Sequence, residues 1–458
     1  MSECEAERLI GLAQQIAQGG DVGRALQALS RALELAPEKA AAPYAALVSQ
    51  IRPKGYFARL EDDLRVCLQA ASVDPQILAR VTARLLLLKY PEGGAADDPL
   101  WTLFLARCIN VDPEMEVRLV VMAEAPGASC SALAEQAFAS EYVWGGEALG
   151  VPEGAANALA EERALAERMP SIGDADDSVS AAVRAQYEAN PYPRWRAPPA
   201  PGRASVRELL RSISGAPDDP AEVLIAGCGT GYEPIDLART DPSLAITALD
   251  LSRASLAYGQ RMAGPLGASN VRFVQGDILE VERLGKTFDL VSSTGVLHHM
   301  ARPAQGLAAL AGVLKPGGVL RIALYSERAR AWVSEAHRVI AAQGWDATAE
   351  GIRAFRAHVF ALPAEAPLAR LRESDDFYTL SGCRDLCFHA HEHWYRLPRI
   401  GEMLREAGLE LTRFDAPPEA RALFHGDPLD LDAWDALEAD HPFLFAGMYH
   451  FWCRPAGG

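Results

Sequence analysis

From residue 222 onward, short apolar runs alternate with helix-period stretches, and most of the runs close on a glycine or an acid. The stretch "EVLIAGCGTGYEPIDLA" (222–238) is the first of these and the most constraining. Such alternation calls for a parallel sheet with crossover helices, because parallel neighbours can be joined only through a long return. The predicted strand Val223–Ala226 runs into Gly227-Cys228-Gly229-Thr230-Gly231, and a helix begins near Glu233. Glycines at 229 and 231 permit positive φ and let a ligand approach closer than a Cβ would allow. The helix start turns its amides toward the same place.

Three ligands compete for such a turn. A phosphate loop needs Lys-Ser/Thr after its last glycine, and Tyr232-Glu233 stands there. A nicotinamide fingerprint needs a third glycine where this chain has Tyr232 or Pro234. Glu233 would also serve a pyrophosphate poorly, whereas a ligand with an ammonium group and ribose hydroxyls suits it. A second predicted strand, "LAITALDLS" (244–252), ends on Asp250, about twenty residues past Gly231, where an acid accepts from both ribose hydroxyls. "VRFVQGDILEV" (271–281) places Asp277 just beyond a third strand, level with an adenine amino group. "FDLVSSTGVLHHM" (288–300) is a fourth strand, and "LKPGGVLRIALYS" (314–326) reads as a Pro-Gly-Gly turn feeding a fifth. A helix, a stop at Gly408 and a strand follow in "REAGLELTRFD", and "FLFAGMYHFWCR" (443–454) is an apolar last strand.

This succession, over roughly 220–330, resembles the class I S-adenosylmethionine-dependent methyltransferases. The resemblance implies a Rossmann-like α/β domain with a mostly parallel seven-stranded sheet whose last strand is antiparallel. It implies that Gly227, Cys228, Gly229 and Gly231 line the methionine moiety and that Asp250, with Leu251 beside it, binds the ribose. Asp277 and Ile278 would then bracket the adenine, and Thr294 to Val296 would cover the sulfonium side.

His298 and His299 follow the fourth strand, where this fold faces its substrate; either acts as a base or orients the acceptor, or the pair is structural. The passage "NPYPRW" (190–195) precedes the first strand, so it is not the Asn/Asp-Pro-Pro-Tyr motif of amide and adenine methylation. Tyr187, Tyr192, Arg194 and Trp195 form either a lid over the cofactor or a linker whose aromatics pin two domains together. "DDFYTLSGCRDLCFHAHEHWYRLPRI" (375–400) offers Arg384, Asp385, His391 and His393 as substrate-pocket candidates, or as core and interface residues. Cys383, Cys387 and the histidines have zinc-ligand chemistry without a structural zinc spacing, so no metal is expected.

The N-terminal 140 residues are rich in Ala, Leu and Arg with helical periodicity. Residues 6–38, two amphipathic helices about Gly19-Gly20-Asp21 with Pro37 closing the second, resemble one tetratricopeptide unit of about 34 residues. The expected domains are a tetratricopeptide-like helical domain (1–140), a linker and lid (141–210), and a methyltransferase domain (211–458) with a substrate-recognition insert at about 327–400.

The balance of 49% apolar and 23% charged residues fits a globular protein, and a net charge of −17 opposes broad nucleic-acid binding. No apolar run reaches membrane-spanning length, the first residues do not read as a signal peptide, and eight scattered cysteines fit a reduced cytoplasmic protein. The leading expectation is a methyltransferase acting on a protein or peptide recruited by the helical domain. The alternatives are a small-molecule methyltransferase with that domain as lid or dimerisation surface, and a non-enzymatic interaction protein.

Overall fold

The computed structural model describes residues 2–93, 98–125, 131–173, 178–196, 206–213, 221–389 and 391–457. The chain divides into two compact units, one of residues 1–156, 195–201 and 345–386, the other of 157–194, 202–344 and 387–458. Parts of the expected linker, 174–177 and 197–205, lie outside the described residues. Among the described residues, no helix is long and apolar enough to cross a membrane.

The first unit is helical: α1 (Ser2–Gln18), α2 (Val22–Leu35), α3 (Pro37–Val48), α4 (Ala58–Gln69), α5 (Ala79–Lys89), α6 (Pro99–Arg107), α7 (Pro113–Glu124) and α8 (Ser131–Ala139). The Asp21 side chain caps α2 through the Arg24 amide at 3.0 Å, and Gly20 supplies the left-handed turn that α1 needs to reverse. Asp-Pro pairs start α6 and α7 in the same way, the Asp capping and the Pro giving up a donor the first turn never uses. Pro37 both ends α2 and opens α3, so the helix pair expected at 6–38 forms. Among the described residues no regular repeat continues from it: α3 carries an internal Pro43, and α4 and α5 are separated by a short 3₁₀ turn at Pro75–Leu78.

The helical unit extends beyond 140, and the insert expected at 327–400 divides. Residues 345–386, including α16 (Ala349–Ala361), belong to the helical unit, while 387–400 belong to the other. A buried ion pair accounts for this: Arg356 of α16, 2% exposed, donates to Glu116 of α7 at 2.6 Å and to the Phe377 carbonyl at 2.7 Å. The expected boundaries at 140 and 210 miss this closure because it joins positions far apart in sequence.

In the second unit the N-terminal part carries the end of α9 (Glu153–Glu167), α10 (Ser178–Ala189) and α11 (Val206–Ile213). The sheet follows: β1 (Glu222–Ala226), α12 (Tyr232–Thr240), β2 (Ala245–Asp250), α13 (Arg253–Ala263), β3 (Val271–Gln275), β4 (Phe288–Thr294), α14 (Pro303–Gly312), β5 (Leu314–Leu324) and α15 (Ala331–Gln343). After α17 (Leu380–Cys387), which ends at the boundary, come α18 (Leu397–Glu406), β6 (Leu409–Phe414), α19 (Pro418–Leu423), α20 (Leu431–Asp440) and β7 (Tyr449–Pro455). The strand order is β3-β2-β1-β4-β5-β7-β6, parallel except that β7 runs antiparallel to both its neighbours.

Leu224, Leu249, Val291, Leu320 and Phe451 share one buried core with Met403 and Trp434. The Pro316-Gly317-Gly318 segment, expected as a turn before β5, lies inside it. The register with β4 slips between Phe288 and Leu290, and Gly317 takes φ +77°. The slip is a bulge that removes Pro316, which has no donor, from the regular ladder.

Candidate active site

The polar groups of interest gather beyond the carboxyl ends of β1, β2, β4 and β5, where ligands bind in open parallel sheets. At the first of these ends, Gly227, Gly229 and Gly231 take φ of +76°, +52° and +82°. The amides of Gly227 and Cys228 donate to the Leu249 carbonyl at 2.8 and 3.0 Å, that of Gly229 to Asp250, and that of Gly231 to the Cys228 carbonyl. These four donors are therefore taken by the chain's own acceptors, three of them at the end of β2, and are not open to an anion. A Cβ at Gly227 would lie 2.4 Å from the Val296 side chain, one at Gly231 3.0 Å from Gly259 Cα on α13, and one at Gly229 3.0 Å from the Tyr192 carbonyl oxygen. The space beside these glycines, expected to admit a ligand, is taken by the protein's own chain on the side a Cβ would point.

Asp250 closes β2 with its carboxylate turned back on this turn. Its Oδ2 accepts from the Gly229 amide at 2.8 Å and its Oδ1 from the Ser252 amide at 2.9 Å. Burial pushes its pKa up to about 6, against the pull of those two amides, and the Glu188 carboxylate adds like-charge repulsion. Each carboxylate oxygen keeps a second lone pair, so two ribose hydroxyls fit as further donors and would relieve the burial penalty. Leu251 follows, partly exposed. Asp277, 3% exposed, caps the short 3₁₀ turn after β3 through the Leu279 amide, and Ile278 joins the sheet core. Thr294 ends β4, Gly295 takes φ +75°, and Val296 packs over Gly227.

The stretch before β1 lies on this site. Glu188 of α10 places both carboxylate oxygens on the first amides of α13, Arg253 at 2.8 Å and Ala254 at 3.0 Å. Helix N-termini favour such an anion. Thr230 Oγ1 donates to the Pro193 carbonyl, and the Arg194 guanidinium lies 5.6 Å from the Tyr258 ring of α13. Tyr187 Oη is 3.2 Å from His389 Nε2. Trp195 is buried, and the chain enters the helical unit there. Arg384 belongs to the helical unit too, where its Nε donates to the Ala347 carbonyl at 3.1 Å and burial lowers its pKa. The structure therefore does not place Arg384 in one unit with His391 and His393.

His298 and His299, in the turn after β4, are buried. His299 Nδ1 lies 2.9 Å from the His391 carbonyl, so that nitrogen carries the proton. The His299 ring stacks on His389 with centroids 3.7 Å apart, and His391 and His393 bring their Nε2 atoms to 3.0 Å. The His393 amide ties this strand-like segment to the His298 carbonyl at 2.7 Å. Burial, and then neighbouring positive and imidazole groups, hold the pKa of both His298 and His299 well below the ordinary histidine range. Both rings are neutral at pH 7 and weak as bases.

Sequence reasoning missed Glu188, Tyr325, Arg330 and Glu392, which complete the site. The Arg330 guanidinium carbon lies 3.3 Å from the Tyr325 ring centroid, and the Arg330 Nε is 3.7 Å from Glu392. An aromatic residue and an arginine just past the end of β5 are the only trace these left in the sequence.

A family profile described as a methyltransferase domain fits residues 217–359. An uncharacterised protein of Synechococcus sp. is 34% identical over 261 residues, covering 52% of this chain and 60% of that protein. A malonyl-[acyl-carrier protein] O-methyltransferase of Halalkalibacterium halodurans is 33% identical over 108 residues, 23% of this chain and 39% of the relative. A trans-aconitate 2-methyltransferase of Deinococcus radiodurans is 39% identical over 120 residues, 26% of this chain and 43% of the relative. The chain thus spans less than two thirds of the length of each. Residues 217–359 thus match a methyltransferase-domain profile, and the mostly parallel sheet with antiparallel β7 is the Rossmann-like methyltransferase fold expected from the sequence.

Proposed function

We propose that this chain transfers a methyl group from S-adenosylmethionine to an acceptor held beyond the ends of β4 and β5. The observation that carries the reading is Asp250, a buried carboxylate at the end of β2 whose remaining lone pairs suit a ribose diol. Asp250 and Leu251 would hold the ribose, Asp277 and Ile278 the adenine, and the 227–231 turn with Thr294 and Val296 the methionine part. Tyr187 and Tyr192, on the N-terminal stretch, would close over it. When bound, S-adenosylmethionine supplies a methyl carbon activated by a positive sulfur. The chain's own contribution is positioning and exclusion of water. His298 and His299, kept neutral and weakly basic, orient the acceptor and do not serve as its base.

The named relatives, one acting on malonyl-[acyl-carrier protein] and one on trans-aconitate, support a small or carrier-borne acceptor. A polypeptide recruited by the helical unit is the second reading, and the α1–α2 helix pair is what favours it. Titration calorimetry of the intact chain with S-adenosylmethionine tests the function. Binding is expected, with about ten- to a hundredfold loss on Asp250→Ala. No binding would overturn the reading in favour of a non-enzymatic interaction protein, and an unaltered affinity in the variant would remove Asp250 as its support. Release of S-adenosylhomocysteine with free small acids, against the same acids on a peptide, separates the two acceptor classes.

A further inference from the structure

We infer that the acceptor presents a carboxylate to this site and that Arg330 binds it. The inference rests on the methyl-transfer reading above and adds the acceptor's chemical class.

The argument starts from unmet hydrogen bonds. Arg330, 6% exposed, keeps its Nη1 buried with no hydrogen-bond partner among the described residues. His298, fully buried, has no hydrogen-bond partner on either ring nitrogen among the described residues. Buried polar groups are rarely left unpaired, because an unmet donor keeps its desolvation penalty. These two flank the same ring. The Arg330 guanidinium lies on Tyr325, and the His298 ring is 4.1 Å from Tyr325, centroid to centroid. The cation–π contact holds the guanidinium against the ring, and a guanidinium so held presents its buried Nη1 donor to a carboxylate. Glu392 faces Arg330 at 3.7 Å, too far for a hydrogen bond, and its Oε1 is already engaged by the Trp394 indole. The pair moderates the arginine's charge without occupying its free donor.

The missing partner is thus an acceptor atom with negative charge, beside β4 and β5 where the methyl acceptor belongs. A carboxylate meets both demands, because it binds arginine and is itself the nucleophile. A carboxylate oxygen forms the new O–C bond to the methyl carbon as the C–S bond breaks, its electron pair staying on sulfur. The products are a methyl ester and S-adenosylhomocysteine, and no proton is taken up or released. An amine or alcohol acceptor would need a base, and the histidines nearest this point are the ones held unprotonated and weakly basic.

The test uses the full chain loaded with S-adenosylhomocysteine and titrated calorimetrically with malonate, trans-aconitate and benzoate, alongside their amides. Acids are expected to bind and amides not to, and Arg330→Gln is expected to weaken the acids by about ten- to a hundredfold. Arg330→Lys should recover part of the loss. An unchanged affinity for S-adenosylhomocysteine in both variants shows that the fold is intact. With S-adenosylmethionine, methyl groups on the product should be released as methanol by alkali. Equal binding of acids and amides, no binding of any acid, indifference to Arg330→Gln, or alkali-stable product methyls each overturns the carboxylate assignment. Loss of S-adenosylmethionine binding in the parent chain would instead overturn the underlying function.

Discussion

Asp250 shows how one residue can link ligand affinity to pH. Its pKa of about 6 stands above the ordinary carboxylate value because burial disfavours the charge more than the backbone amides of Ser252, Gly229 and Leu251 favour it. Only the ionised form offers lone pairs to both ribose hydroxyls. Affinity for S-adenosylmethionine should therefore be full above pH 6 and fall by about tenfold per pH unit below it. The stability of the ligand-free protein runs the other way. Between about pH 4 and pH 6 the folded chain binds more protons at this residue than the unfolded chain does. The stability Asp250 contributes below that window is lost as pH rises through it. Asp250→Asn should flatten both profiles and weaken binding at pH 7.5. Calorimetry and denaturant melts across pH 5–8 would show this, and a pH-independent dissociation constant in the parent protein would refute it.

At the scale of elements, a single carboxylate ties α10 to the start of α13. Glu188 on α10 satisfies two amides at the start of α13, and its charge also raises the pKa of Asp250. Glu188→Gln keeps the shape, removes the charge and can accept through one oxygen only. Amide exchange should quicken across 178–189, S-adenosylmethionine should dissociate faster, and the affinity midpoint should move to lower pH as the repulsion disappears. The cost in stability should be about 1 kcal/mol. Unaltered exchange in α10 would show that the latch is not what holds it. The contrast between this latch and the sheet marks what the sequence makes legible. Strands β1 to β4 announce themselves because a short apolar run and the glycine or acid that closes it are neighbours in the chain. Glu188 looks like any acid on an amphipathic helix, since its partners lie 65 and 66 positions away. Arg384 shows the converse: beside a run of histidines in sequence, it is assigned to the other unit. The glycines of the turn were identified correctly for conformation, yet Val296, Gly259 and Tyr192, which crowd them, come from three other segments.

The whole molecule is two units threaded through one another in sequence, and this decides which experiments are meaningful. The helical unit is completed by residues 345–386, and Arg356 reaches Glu116, the Phe377 carbonyl and the Val143 carbonyl inside it. Such a pair is strong evidence of interdependence even where its net contribution is small, because removing one partner leaves a buried charge uncompensated. Glu116→Ala should cost about 3–5 kcal/mol, read from the denaturant midpoint. Glu116→Gln, which keeps an acceptor for Arg356, should cost clearly less. Equal stability of Glu116→Ala and the parent would mean that the insert is not anchored by this contact. A deletion of the N-terminal helices would remove Glu116 while leaving Arg356 in place, so lost activity in that truncation would report misfolding and not recruitment. Full-length Glu116→Gln is the better probe. If the helical unit recruits the acceptor, loosening it should raise KM for a peptide-borne acid while KM for the free acid stays fixed. Equal KM changes for both acids, or none for either, would assign acceptor recognition to the sheet unit alone.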